Sequence, residues 1–187
     1  AGRFGATQIH IYRRRGDSEQ TVRGKLLSIT PVSLSAVVPK FEHMGATVVD
    51  ERPYEISPRS GGPVWVYDFG LRCDPEDLDR AGDAFAPAFL GAWTGELEDD
   101  RLNGLVMRAG LSGREVTIVR AVLRYLRQSA IAFSDAYMIQ TLLDNPEIAR
   151  RAVELFAARF DPDARDRDEV ERLSGELEAA VDTVESL

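Results

Sequence analysis

Hydrophobic and polar positions follow two different periods along this chain, and the change between them falls near residue 73. Before it, apolar residues mostly alternate with polar ones, which is typical of strands that bury one face. The alternation predicts four strands, at 7–14, 22–29, 47–56 and 63–72. A helix is indicated between the second and third strands, from Ser33 to Gly45, because apolar residues recur there at spacings of three and four.

The order β-β-α-β-β predicts a four-stranded sheet with a split β-α-β crossover. Since such crossovers are right-handed, we expect strands 22–29 and 63–72 at the centre of the sheet. Strand 7–14 would pair on the free edge of 22–29, through a turn at 16–20. The first part of the chain is therefore expected to be an α+β, ferredoxin-like module with helices on one face of its sheet.

Beyond the last strand the apolar residues recur with the helical period, and capping signals are frequent. Asp74 is followed by a proline at the first helical position and starts a helix that should run to Gly95. Further helices are predicted to begin at Leu102, Ser112, Ser134, Asn145 and near Val170, the last with an apolar stripe that continues to Leu187. The sequence thus divides into an α+β module at 1–73 and an all-α helical domain at 74–187.

Charge follows the same division. Residues 1–73 hold 10 basic and 7 acidic residues, whereas residues 74–187 hold 13 basic and 24 acidic residues. The net charge of −8 argues against nucleic acid or an anionic membrane as the partner. We expect no secretory leader, and no apolar run reaches the roughly 20 residues of a membrane span. The single cysteine, Cys73, excludes an internal disulfide and a multi-thiolate metal site, and it fits the reducing cytoplasm.

Few residues are suited to catalysis. His10 is expected in a strand and His43 at the end of a helix, where capping and surface roles are the more common. Cys73 has no histidine near it in sequence, so inert packing is expected of it. Residues 68–70 spell Asp-Phe-Gly, the kinase magnesium tripeptide, but without the glycine-rich and catalytic loops of a kinase. We therefore expect no catalytic residue, no cofactor site and no metal site in this chain.

Arg120, Arg124 and Arg127 form a basic stripe along the helix that begins at Ser112. Such a stripe is usually a solvated face or is paired with acids on the elements around it, and the acidic run 98–101 offers partners. The alternative, which assigns the stripe a specific function, is a contact with an anion or with another subunit. The residue pattern leaves both interpretations open.

The loop between strand 22–29 and its helix is the best candidate for ligand binding. Free backbone N–H groups at a helix N-terminus accept a carboxylate, and this loop supplies Thr30, Val32, Ser33 and Ser35. Every strand-to-helix junction offers such groups, so the loop is a candidate site and not a motif.

Four long segments of the chain resemble the large bacterial NAD-specific glutamate dehydrogenases. They are PVSLSAVVPKFEHMGATVVDERPYEI at 31–56, VWVYDFGL at 64–71, GLVMRAGLSGREVTIVRAVLRYLRQ at 104–128 and NPEIARRAVELFAARFDP at 145–162. The similarity covers nearly the whole chain, from 7 to 187, and is weakest at 16–23.

The resemblance implies an ACT-like module followed by a helical region, upstream of a dehydrogenase core. The parent of this family oxidatively deaminates L-glutamate to 2-oxoglutarate and ammonia with NAD, and its substrate lysines and dinucleotide fold would lie beyond Leu187. No catalytic residue of the family can be placed on this chain. Because ACT modules generally bind small ligands, often amino acids, at strand–helix loops and module interfaces, the resemblance also points to residues 30–35. A start at Ala1 and a stop within a helical stripe suggest a piece of a longer protein.

Three hypotheses follow from the residues and the resemblance. The leading one is a regulatory or assembly segment of an NAD-dependent glutamate dehydrogenase, inactive alone. Its partners would be other modules and subunits of a homo-oligomeric parent, with a possible small amino-acid effector. The second is a purely structural scaffold between modules or subunits, without a ligand. The third is an independent enzyme that uses His43 and the carboxylates.

Overall fold

The computed structural model describes residues 7–14, 21–129, 133–162 and 166–184. Its first part contains four strands and one helix in the expected order. These are β1 (Gln8–Tyr12), β2 (Thr21–Ser28), α1 (Leu34–His43), β3 (Thr47–Ile56) and β4 (Val64–Arg72). The predicted turn at 16–20 and the predicted continuation of the last stripe to Leu187 lie outside the described residues.

The four strands form one sheet in the order β1-β2-β4-β3, and every neighbouring pair is antiparallel. β1 pairs with β2 so that Ile9 lies opposite Leu26, which places the first strand on the edge predicted for it. β2 and β4 occupy the centre, and the chain passes from β2 through α1 to β3. The predicted α+β, ferredoxin-like module is therefore confirmed.

One face of the sheet packs on helices and carries the apolar residues of the two central strands. Leu26 of β2 and Phe69 and Leu71 of β4 are buried with Phe41 of α1 in one hydrophobic core. Gly24 lies on the same face and leaves room for the neighbouring strand residues, because a Cβ there would stand 3.0 Å from Leu71 and 3.3 Å from Ile11. The spacing of two between these residues is the strand period, which is why alternation predicted this face.

Seven helices follow in the described part of the chain. They are α2 (Pro75–Ala81), α3 (Phe85–Thr94), α4 (Leu105–Ala109), α5 (Gly113–Gln128), α6 (Asp135–Asp144), α7 (Pro146–Phe160) and α8 (Arg167–Asp182). Short 3₁₀ turns at Gly82–Ala84 and Arg101–Gly104 precede α3 and α4. Ser112 and Glu115 form the predicted capping box of α5. None of the helices in the described ranges has the length and hydropathy that crossing a membrane requires.

The helix predicted to run unbroken from Asp74 to Gly95 is in fact two helices. Asp74 caps the first as predicted, since its carboxylate accepts a backbone N–H of the first turn at 2.9 Å. Gly82 then adopts a φ of +47° and ends α2, a conformation that residues with a Cβ rarely take. The start of α7 also differs, because the Asn145 side chain does not cap it and its Nδ2 donates to the carbonyl of Thr141 instead.

The helical part packs on the sheet through a shared core. Phe41 of α1 contacts both Phe69 of β4 and Phe89 of α3, with ring centroids 5.2 Å and 4.6 Å away. The same buried cluster continues through Val116 of α5 to Val153 of α7. Burial of apolar surface therefore joins the helices to the sheet.

The opposite face of the sheet carries a buried ion-pair network that the sequence analysis did not find. Arg23 is only 3% exposed, and its guanidinium donates to Asp50 at 2.8 Å and to Asp68 at 3.2 Å. The Tyr12 hydroxyl donates to the same Asp68 carboxylate at 3.0 Å. Burial opposes the charge on Arg23, but these hydrogen bonds outweigh it and raise the pKa of the guanidinium. Gly70 leaves room for the network, because a Cβ there would collide with Asp50 and lie 2.8 Å from Arg23 Nη1.

We expect Gly70→Ala to lower the free energy of unfolding by roughly 1–3 kcal/mol, because the added methyl group displaces the Asp50–Arg23 pair. Urea unfolding followed by circular dichroism measures the change. Gly62→Ala is the matched control, since nothing lies within 4 Å of a Cβ at Gly62, and it should stay within about 0.5 kcal/mol of the parent. Equal stability of the two variants would show that the network moves aside without cost.

Candidate functional site

The predicted ligand loop joins β2 to α1 and is held by two side chains of the sheet. The buried hydroxyl of Tyr67 accepts the N–H of Val32 at 2.8 Å, and the Ser28 hydroxyl accepts the N–H of Thr30 at 3.2 Å. Thr30 is exposed and Val32 is half-buried. The end of the sheet therefore positions the backbone of the loop at these two residues.

Ser33 occupies the N-cap position of α1, but its side chain does not cap the helix as predicted. Its hydroxyl instead lies 2.7 Å from the hydroxyl of Ser35. The backbone N–H groups of Ser33, Leu34 and Ser35 make no hydrogen bond with the described residues, whereas those of the next two residues both donate to the Ser33 carbonyl. An exposed set of backbone donors at the positive end of a helix dipole is suited to a carboxylate.

The basic stripe on α5 is paired with acids, as the more common interpretation of the sequence predicts. Arg120 is buried and binds the carboxylate of Asp100 through Nε and Nη2, both at 2.9 Å. The two outer pairs, each at 2.6 Å, are Arg124 with Glu98 and Arg127 with Asp135. These two outer pairs are exposed, and exposed ion pairs contribute about 0–1 kcal/mol each to the stability of the fold. Arg120 is therefore the residue of the stripe that is held most firmly.

The acidic segment 98–101 also ties the helical part to α1. Asp99 accepts a hydrogen bond from Lys40 Nζ at 2.8 Å and lies 2.8 Å from His43 Nδ1. Burial of the Asp99 carboxylate would raise its pKa, but the contacts with Lys40 and His43 outweigh that effect and hold the pKa below its ordinary value. His43 thus has a structural surface role, in keeping with the interpretation favoured from the sequence.

Cys73 and His10, the remaining residues considered for catalysis, lie away from the 30–35 loop. Cys73 is buried, and burial raises the pKa of its thiol, so it stays protonated as a packing residue does. His10 is exposed on β1, opposite Lys25 in the sheet register. Within the described residues, no group of three or more His, Cys, Asp or Glu side chains is placed to hold a metal ion.

Comparison with known proteins relates both parts of the chain to one enzyme family. A model described as the glutamate dehydrogenase ACT3 domain matches residues 6–82, and a model described as glutamate dehydrogenase helical motif 3 matches residues 97–162. Two relatives named NAD-specific glutamate dehydrogenase, from Halomonas elongata and Mycobacterium tuberculosis, are 37% and 39% identical over 96% and 70% of this chain. The chain belongs to the NAD-specific glutamate dehydrogenase family.

A further relative with the same name, from Pseudomonas aeruginosa, is 33% identical over 81% of this chain. The chain spans only 11%, 8% and 10% of the lengths of the three relatives, in the order given. Within the glutamate dehydrogenase family, the ACT3 match covers the whole sheet with α1 and α2, whereas the helical motif 3 match covers α4 to α7. The family resemblance inferred from the sequence is thereby confirmed.

We expect Asp99→Asn to make the free energy of unfolding less dependent on pH in the acidic range. The lowered pKa of Asp99 means that its contacts with Lys40 and His43 stabilise the fold above the ordinary carboxyl pKa and are lost as the pH falls through the lower, folded value. At neutral pH the variant should lose about 1 kcal/mol of unfolding free energy, and the difference should shrink as the pH falls below the ordinary carboxyl pKa. Urea unfolding at a series of pH values measures both effects.

Asp83→Asn serves as the control for this titration, because Asp83 is exposed and lies outside the contact with α1. It should follow the parent at every pH. A difference between Asp99→Asn and the parent that is constant down to pH values below the folded pKa would contradict the assignment of the acid effect to Asp99.

Proposed function

We propose that this chain is a regulatory and assembly segment of an NAD-dependent glutamate dehydrogenase, with no dehydrogenase activity of its own. The matches to the ACT3 domain and helical motif 3 of that family support the proposal. The parent reaction would be the oxidative deamination of L-glutamate to 2-oxoglutarate, with NAD bound in parts of the parent that this chain does not span. A cytoplasmic location and a division into an ACT-like module at 1–73 and a helical domain at 74–187 belong to the same proposal.

The uncapped start of α1 is the observation that carries the regulatory part of the proposal. Thr30, Val32, Ser33 and Ser35 would surround the carboxylate of a small amino-acid effector, and the backbone N–H groups would donate to it. No acidic residue in the first turn of α1 repels an anion. The helix dipole adds roughly 0.3–1 kcal/mol of attraction at such a position.

A purely structural scaffold is the second candidate, and exposed apolar residues of the sheet module favour it. Ile29, Tyr54 and Ile56 are 49%, 51% and 52% exposed. The pairing of β4 with both β2 and β3 brings them to one end of the sheet. Other modules or subunits of a homo-oligomeric parent would cover these side chains.

We expect no formation of NADH when this chain is mixed with L-glutamate and NAD. The measurement is the absorbance of NADH, with the full-length parent enzyme assayed alongside as the positive control. Turnover above that of a heat-denatured sample would show that the chain is itself an enzyme and would contradict the proposal.

We expect calorimetric titration with the L-amino acids to find a ligand whose affinity falls at least about tenfold in Ser33→Asp, because the new carboxylate accepts the free N–H groups and repels the ligand. The same variant should unfold at a higher temperature, since aspartate caps the helix. Ser134→Asp is the matched control, because it adds the same charge at the start of α6, where Ser134 already accepts a backbone N–H at 3.2 Å.

The titration separates the two candidates. Binding that is weakened in Ser33→Asp and unchanged in Ser134→Asp supports regulation through the 30–35 loop. A site at this loop is contradicted if both variants weaken binding equally, or if Ser33→Asp weakens the binding of no amino acid. The absence of any binding to the parent chain favours the scaffold.

A further inference from the structure

A cavity of about 210 Å³ lies between α5, α6 and the 3₁₀ turn before α4, at a distance in sequence from the 30–35 loop. Five charged residues line it: Asp100, Arg120, Arg124, Arg127 and Asp135. Since one molecule of liquid water occupies about 30 Å³, the volume equals that of roughly seven waters, and it lies below the range typical of drug-sized ligands. The cavity suits a small metabolite.

Arg120 is held in this cavity with one donor group unused. Its side chain is only 6% exposed, and Nε and Nη2 bind Asp100 while Nη2 also donates to Asn103 Oδ1 at 3.0 Å. Asn103 is fixed in turn, because its Nδ2 donates to the carbonyl of Glu98 at 2.7 Å. Nη1 of Arg120 makes no hydrogen bond with the described residues. Nη1 is not one of the described side-chain donors that are both buried and without a partner, so it keeps contact with the solvent of the cavity. It is therefore a fixed, available donor for an anion.

Arg124 and Arg127 extend this positive wall towards the solvent. They lie four and seven positions after Arg120, which places the three side chains on one face of α5. The side chains of Arg124 and Arg127 are 62% and 60% exposed, and each is bound to a carboxylate through a single nitrogen. Exposed pairs of this kind are weak, so a ligand carboxylate can share or replace the present partners at small cost.

The remaining wall of the cavity is apolar. Leu102, Leu123, Met138 and Ile139 form it, and Leu102 is fully buried beneath it. Met138 is a flexible, polarisable side chain that adapts its shape to a bound aliphatic group. The cavity therefore combines positive donors on one side with apolar surface on the other.

We propose that this cavity binds a small organic carboxylate with a short aliphatic chain. The carboxylate contacts Arg120 Nη1 and the guanidinium groups of Arg124 and Arg127, while the aliphatic chain lies against Met138. Two sources share this chemistry, an aliphatic acid and an aliphatic α-amino acid, and the amino group of the second has Asp100 or Asp135 as its acceptor. The site goes beyond the proposed function, because it lies in helical motif 3 and uses none of the residues of the 30–35 loop.

Isothermal titration of the full chain with L-leucine, 4-methylpentanoate and inorganic phosphate tests the proposal. We expect L-leucine or 4-methylpentanoate to bind, and Arg127→Gln to weaken that binding at least about tenfold by removing an exposed donor without disturbing the buried Arg120. Met138→Trp should abolish binding by filling the cavity while it leaves every charge in place. Tighter binding of L-leucine identifies the amino acid as the source, and tighter binding of 4-methylpentanoate identifies the simple acid.

Arg114→Gln is the matched control, because it removes one exposed arginine from the same helix outside the cavity. It should bind as the parent does, and so should Ser33→Asp, which distinguishes this cavity from the 30–35 loop. The unfolding midpoint of every variant shows that it is folded. The proposal is overturned if neither carboxylate binds at up to about 10 mM, if phosphate alone binds, or if Arg114→Gln weakens binding as much as Arg127→Gln does.

Discussion

Phe41 of α1 packs between the sheet and the helices, and the arrangement of both parts depends on this contact. Its ring lies 5.2 Å from that of Phe69 in β4 and 4.6 Å from that of Phe89 in α3, and all three side chains are fully buried. Gly24 lies beside this contact, and its missing side chain leaves room for Leu71 and Ile11, which a Cβ would approach to 3.0 Å and 3.3 Å. Truncating a buried phenylalanine costs about 3–5 kcal/mol in other proteins. Here the Phe41 side chain fills the core between α1 and the sheet, and it also packs against the helical part.

Ion pairs make the second set of long-range contacts. In them, acidic residues of the helical part are bonded to other elements of the fold. The segment 98–101 directs Asp99 towards α1 and Asp100 towards α5, so one short acidic run is bonded on both sides. On the far side of the sheet, Arg23 lies between Asp50 and Asp68. Partners this far apart in sequence stabilise the packing of whole elements, whereas exposed pairs within one helix contribute little.

The two ligand sites proposed for this chain use different donors. At the start of α1 the donors are backbone N–H groups, which any residue supplies, so the loop depends on the absence of a cap at Ser33 and not on a particular side chain. In the cavity on α5 the donors are guanidinium groups, of which that of Arg120 is held by Asp100 and Asn103, so the site depends on a network of specific residues. Both are suited to carboxylates, and they lie in the two parts of the chain that match separate glutamate dehydrogenase models.

Local patterns determined which elements form and the family to which the chain belongs. Strand alternation, helical periodicity and signals such as the Ser112 capping box depend only on neighbouring residues, and four long segments carried the family resemblance. The tertiary structure alone decided the break at Gly82, the uncapped Ser33 and Asn145, the Arg23 network and the unused donor of Arg120. At Ser33 and Asn145 the side chain bonds to another nearby partner, the Ser35 hydroxyl and the Thr141 carbonyl, and a capping signal alone does not specify which of these local bonds forms. The Arg23 network and the Asp100–Arg120 pair join residues 20 to 45 positions apart, so they form only where packing brings the elements together, which no short stretch of sequence specifies.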